Sequence, residues 1–200
     1  MSPDMSDQFI VERCSPTLAG LKTGSLFPVE YSDRAEINRE IRDLNRTLAL
    51  KGLRAIPVRY TERFVLIYLY RPDYLKRDLE QKEAEEILRE LGYSCGSTNR
   101  CVAELERQMK KRETFPHEIG LFLGYPPEDV RGFMRDSRRG CKCIGYWKVY
   151  GDVERAEKTF QKYRKCTRVY ADCIRRGSPL SQLIVQTDRS GRENGREVQK

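Results

Sequence analysis

His117 is the only histidine in the chain, and a carboxylate, Glu118, follows it directly. An imidazole beside a carboxylate has the make-up of an acid/base pair, since the carboxylate can orient the ring and stabilise its charged form. Pro116 precedes the pair and the apolar residues 119–123 follow it, so the pair stands at the entry to a buried element. A thiol is the second candidate. Cys14 is followed by Ser15-Pro16, which suit the N-cap and first position of a helix. That reading places Cys14 just before a helix of about two turns ended by Gly24, where partial positive charge favours thiolate. Lys22, Arg131 and Lys148 are cations suited to an anionic group, and Lys148 falls within an expected strand.

These residues define an expected site. Cys14, His117 and Glu118 would act in catalysis, with Cys14 as nucleophile or ligand. Lys22, Tyr125 and Lys148 would bind the ligand. Because a reactive thiol needs a proton acceptor and the chain has one imidazole, Cys14 and His117 are expected to line one cleft. Each residue also has a plainer reading: a structural histidine, an inert buried thiol, solvated lysines. No metal ligands are assigned. Cys141-Lys142-Cys143 has one residue between its thiols, where a zinc knuckle has two to four, and no second pair matches it. P-loop, dinucleotide-binding, HExxH and GxSxG patterns are absent. The cofactor, the reaction and the oligomeric state stay open.

Elements must bring these residues together, and the sequence predicts which. Residues 34–51 place Ile37, Ile41, Leu44 and Leu48 on one helical face. Residues 55–60 and 64–70 read as a β-hairpin, its second strand apolar on both faces. One long helix is expected from Pro72 to about Leu91, then another opened by Ser97 or Thr98. Residues 119–123 read as a short buried strand, Pro126-Pro127 as a helix start, and residues 142–150 as a strand in which Gly145 marks a bulge or close approach. A last helix opens at Asp152 and carries the apolar seam Phe160, Tyr163 and Tyr170. The class is α+β (or α/β). A small mixed sheet of about four strands, joining the hairpin to residues 119–123 and 143–150, would be covered by five to six helices. Residues 1–10 are expected to form a loose leader, 11–177 one globular domain, and 178–200 a polar, flexible tail.

At 200 residues the chain is long enough for one self-sufficient core. No apolar run is long enough to span a bilayer, and the acidic N-terminus lacks the regions of a signal peptide, so a cytoplasmic protein with seven reduced cysteines and no membrane partner is expected. The net charge of +8 is unevenly spread. Residues 1–130 carry 20 basic and 22 acidic groups, whereas residues 131–176 carry 14 and 5. Such a concentration suits a polyanion, which makes nucleic acid an alternative partner to a small-molecule ligand.

Three runs carry a resemblance. Cys14-Ser15-Pro16-Thr17-Leu18-Ala19-Gly20-Leu21-Lys22, then His117-Glu118-Ile119-Gly120-Leu121-Phe122-Leu123-Gly124-Tyr125-Pro126, then Gly145-Tyr146-Trp147-Lys148-Val149-Tyr150 resemble domain-of-unknown-function family 3793. This is an uncharacterised family of anaerobic Firmicutes. The resemblance covers nearly the whole folded chain and implies a single intracellular domain. It also implies an iron- or redox-linked accessory role, from a gene neighbourhood of flavodoxin and ferrous-iron transport. It implies no catalytic residue and no substrate.

Overall fold

A computed structural model describes residues 5–94, 96–112 and 114–186. Its centre is β3, Phe64–Tyr70, a run of β-branched and aromatic residues with both faces covered. Alternation divides the strand between two cores. Val65, Ile67 and Leu69 face one cluster, while Tyr68 and Tyr70 face the other, their rings stacked at 4.6 Å. β1 (Gly24–Glu30) and β2 (Arg54–Tyr60) pair antiparallel with it on either side, in the order β1-β3-β2. Each edge strand carries a proline. Pro28 sits on β1 and Pro57 on β2, where the register shifts between Pro57 and Arg59. Proline has no N–H for a ladder, so it is confined to such edges.

One face of the sheet is covered by α1 (Asp7–Leu18), α2 (Arg34–Ala49), the C-terminal half of α8 (Val153–Arg175) and α9 (Leu180–Leu183). The other is covered by α3 (Pro72–Leu79), α4 (Lys82–Glu90), α5 (Thr98–Lys111), α6 (Ile119–Phe122) and α7 (Pro127–Arg135). A separate two-stranded sheet, β4 (Cys143–Ile144) and β5 (Lys148–Val149), packs on the N-terminal half of α8 through Trp147, Val149, Phe160 and Tyr163. The class is α+β. No helix among the described residues is long and apolar enough to cross a membrane.

Several expectations are met. The 55–70 hairpin, the Asp33 and Ser97 caps, the Pro127 start of α7 and the long α8 burying Phe160 and Tyr163 all form. Gly145 is a site of close approach, since a Cβ there would lie 2.2 Å from the Phe160 ring.

Others are corrected. The single mixed sheet is not formed. Residues 119–123 make the helical turn α6, and the 142–150 segment forms only the small separate hairpin. The third strand of the main sheet is instead β1, and Gly24 begins it rather than ending a helix. α1 starts at Asp7, where the Ser6 hydroxyl accepts from Phe9 N, so Ser15 and Pro16 lie in its last turns. Residues 7–10 therefore belong to a helix and not to a leader, and residues 1–4 lie outside the described residues. The expected long helix over 72–91 breaks at Glu80-Gln81, where Gln81 is extended. The segment after Gly177 does not leave the fold at once: Leu180 and Ile184 are buried, and Val185 N donates to Leu18 O at 3.0 Å. The flexible tail expected beyond it falls outside the described residues from 187 on. Cys14, Cys141, Cys143, Cys166 and Cys173 are free thiols, but Cys101 is disulfide-bonded, so the expectation of reduced cysteines fails there; Cys95 lies outside the described residues.

Candidate functional site

The segment between α1 and β1 is anchored at both ends. α1 ends at Gly20 with φ +74°, a left-handed conformation that glycine adopts without strain. Leu21 N and Lys22 N both donate to Pro16 O, at 2.8 and 3.0 Å. Tyr163 on α8 donates its hydroxyl to Leu21 O at 3.3 Å, and Arg71 N donates to Thr23 O at 2.9 Å. The Arg71 side chain is fully buried and secures the same region. Its guanidinium donates to Thr17 O (2.7 Å), Leu18 O (2.7 Å) and Val185 O (2.8 Å), placing positive charge at the C-terminal end of α1, where the helix dipole favours it.

The fixed loop forms one wall of a cleft of about 910 Å³. α3 supplies Asp73, Tyr74, Arg77 and Asp78; the α6–α7 connection supplies Gly124 and Tyr125; α8 supplies Arg155, Thr159, Lys162 and Tyr163. The α8 residues recur at helical spacing and so share a face. Gly124 has φ +78°, and a Cβ there would come within 2.7 Å of Thr23 Oγ1. The two walls meet at that glycine.

Lys22 is half-buried in this cleft. Its Nζ lies 5.3 Å from the centre of the Tyr125 ring and makes no hydrogen bond or ion pair with any described residue. Burial pushes its amine down to about 8, opposed in part by Cys14. Asp78 on α3, which also lines the cleft, accepts from the Thr23 hydroxyl and pairs with Arg77 at 3.0 Å. Arg155 and Lys162 are exposed along the rim with no ion pair among the described residues.

Tyr125 also borders a second pocket. One side of its ring meets Lys22, and the ring stacks on Trp147 at 4.8 Å. Beyond lies an apolar pocket of about 360 Å³ lined by Phe115, His117, Ile119, Val130, Phe133 and Lys148 among others. His117 is exposed there, its ring edge-on to Phe133 at 4.9 Å. Lys148 donates to Ser137 O at 2.7 Å and lies 5.7 Å from the Phe133 ring centre.

The six expected site residues thus divide three ways. Lys22 and Tyr125 line the large cleft, and His117, Tyr125 and Lys148 line the apolar pocket. Cys14 and Glu118 are in the interior. Cys14 lies inside α1 with no exposed surface, and burial pushes its thiol up to about 12, against the pull of Lys22, Ser25 and Arg13. The thiolate expected from an N-terminal position is therefore disfavoured, and His117 is not among the groups acting on it. The Cys14–His117 dyad is not formed. Glu118 turns inward, 1% exposed, accepting from the Tyr93 hydroxyl at 3.0 Å and pairing with Arg112 at 3.3 Å. Arg131 pairs with Glu83 (3.5 Å) and Glu90 (3.2 Å) on its own side of the fold.

A family model described as "Protein of unknown function (DUF3793)" matches residues 10–184. The chain belongs to this family. The match runs from Ile10, in the first turn of α1, to Ile184 and so includes every residue of the large cleft and of the apolar pocket. No curated protein and no solved structure matches the chain.

Sequence reasoning missed Arg71, Asp129 and the α8 rim. Asp129 is buried, accepting from Trp147 Nε1, Tyr150 N and Gly151 N, each at 2.7 Å, and so ties the β4–β5 hairpin to α7. Arg155 and Lys162 had a legible signal, since both fall on the same side of α8 as the apolar seam's Tyr163. Among the described residues, no three His, Cys, Asp or Glu side chains group as metal ligands would.

Proposed function

We propose that the protein binds a small anionic ligand in the cleft between α3 and α8. The observation that carries this reading is the Lys22 amine, half-buried in a space of about 910 Å³ with no protein counter-charge of its own. A buried cation without a partner is costly, and an anion that enters relieves that cost. Arg155 and Lys162 at the rim add attraction, while Tyr74, Tyr125 and Tyr163 offer ring surface. A volume of this size suits a metabolite-sized ligand. Thermal-shift screening of carboxylates and phosphates tests the reading. A stabilising anion is expected to lose its effect in Lys22→Met and in the Arg155→Ala/Lys162→Ala double variant. A shift that survives in both variants rejects this cleft.

A second reading has its own observation. From Lys158 to Ala171 the chain has no acidic residue, and Lys162, Arg164, Lys165 and Arg168 are exposed on α8 without ion pairs among the described residues. That face suits a phosphate backbone, and binding to RNA or DNA would weaken steeply with salt. Absence of binding at low salt rejects it. Elemental analysis of anaerobically purified protein tests the iron-linked role that the family resemblance implies, with stoichiometric iron favouring it over the anion reading.

A further inference from the structure

We propose that Lys22 is a nucleophilic amine, and that the cleft takes small anionic carbonyl compounds as imines on its Nζ. The proposal deepens the anion-binding reading and rests on it.

Three features come together at Lys22 and at no other lysine that lines the cleft. Its backbone is held by hydrogen bonds at Leu21 N, Lys22 N, Leu21 O and Thr23 O, so the amine enters the cleft from a fixed position. Its Nζ is engaged by no acceptor, whereas Lys148 donates to Ser137 O, Lys142 to Gly151 O, Lys158 to Glu154 and Lys110 to Glu106. It is also half-buried, and Lys162, which shares the cleft, is exposed.

Burial keeps the amine ready to lose its proton. Cys14 faces it from α1 and opposes the shift, while Asp73, Tyr74, Arg77 and Asp78 on α3, Tyr125 in the α6–α7 connection, Glu128 on α7 and Arg155, Lys162 and Tyr163 on α8 line the same cleft. Cys14 is held as the neutral thiol by burial, and Asp78 is occupied by Thr23 and Arg77. With the amine brought from 10.5 to about 8, the unprotonated fraction at neutral pH rises roughly three-hundredfold. Burial that favours the neutral form is the usual way a lysine becomes a nucleophile.

The step balances without a further reactant. The Nζ lone pair forms a bond to the carbonyl carbon while the C=O π pair moves to oxygen, which takes a proton. Nitrogen gives up one proton to leave the neutral carbinolamine; its second proton then passes to the hydroxyl, which departs as water while the nitrogen lone pair forms the C=N bond. The ligand's anionic group falls to Arg155 and Lys162 at the rim, which is why the class is an anionic carbonyl compound and not a neutral one.

Pyridoxal 5′-phosphate serves as an anionic aldehyde probe and pyridoxal as its uncharged counterpart, with the full chain trapped by cyanoborohydride and mapped by peptide mass spectrometry. The phosphate probe is expected to label Lys22 at least about tenfold faster than any exposed lysine at pH 7.5, since burial brings its amine down to about 8. Lys22→Arg, which keeps the charge, is expected to lose that label while the slow surface labels remain. Arg155→Ala/Lys162→Ala is expected to slow the phosphate probe and leave pyridoxal unchanged. Labelling of Lys22 no faster than exposed lysines overturns the proposal. If the phosphate probe raises Tm reversibly but forms no trappable imine, anion binding stands and the nucleophile is rejected. If it does neither, both readings fall together.

Discussion

The two pockets that share Tyr125 differ in what their charged groups are already doing. In the smaller pocket Lys148 is bonded to a backbone carbonyl, Asp129 holds three donors, and the His117 ring rests on Phe133. In the larger cleft the side chains of Lys22, Arg155 and Lys162 make no hydrogen bond or ion pair among the described residues. Unusual residue types crowd the first, yet the polar atoms of Trp147, Asp129 and Lys148 are spent on holding the fold, and His117 makes only a ring contact. Commonplace lysines and an arginine edge the second, and their charge is available. The proposed site therefore rests on unmet electrostatic demand and not on residue rarity.

The sharpest break of this contrast is Asp129→Ala. It strips partners from Trp147 Nε1, Tyr150 N and Gly151 N at once, and a loss of about 3 kcal/mol or more is expected from three unmet donors. In a protein of this size that lowers Tm by roughly 6–12 °C, readable by calorimetry. A variant of unchanged Tm would mean that the hairpin is held by packing alone. Glu118→Gln comes next. It keeps a partner for Tyr93 but leaves Arg112 without its counter-charge, and a cost of about 1–3 kcal/mol is expected in urea unfolding.

Lys22→Met should act in the opposite direction. The folded-state amine sits near 8 against 10.5 when exposed, so the unfolded chain binds more protons between those values. Stability from this group therefore rises as pH climbs from about 8 to 10.5, and the full cost of burying the charge is present below 8. Without ligand, the variant is expected to gain about 1 kcal/mol at pH 7 and to lose its share of that pH dependence. A destabilised Lys22→Met would show that the amine already has a partner. The smallest effect belongs to His117→Ala. An exposed ring costs within about 0.5 kcal/mol, and the anion-induced shift should be unaltered. Loss of that shift would move the site into the apolar pocket. In the same preparation Cys14 should resist alkylation at pH 7, since burial holds its thiol at about 12.

Local chemistry was legible wherever it was complete within a few residues. Asp33 and Ser97 cap their helices as their types suggest, and Phe64–Tyr70 reads as a covered strand from its composition alone. Signals with two meanings misled. Ser15-Pro16 suits a helix start, but Pro16 is tolerated inside α1, and the true start was marked by Ser6-Asp7. Residues 119–123 are a short apolar run, which helix and strand accommodate equally. β1 was hidden by Pro28, acceptable only because that strand lies at an edge. The cleft is the least legible feature, because residues 20–23, 73–78, 124–127 and 155–163 meet only through the arrangement of α3 and α8 around the sheet. The burial of Cys14 has the same origin.

The hydrogen bonds that join the beginning of the fold to its end also bear on synthesis. Leu180 N donates to Asp7 Oδ2, Val185 N to Leu18 O, and Arg71 to Val185 O, while Met5 and Ile10 share a core with Leu180 and Ile184. α1 packs early on β1 and β3, but α8 and α9, which cover the rest of it, emerge more than a hundred residues later. Until then the side of α1 that meets α8 and α9 must stay exposed or be shielded by a chaperone, so nascent chains stalled or shortened before α8 should be held as chaperone clients rather than released as stable fragments.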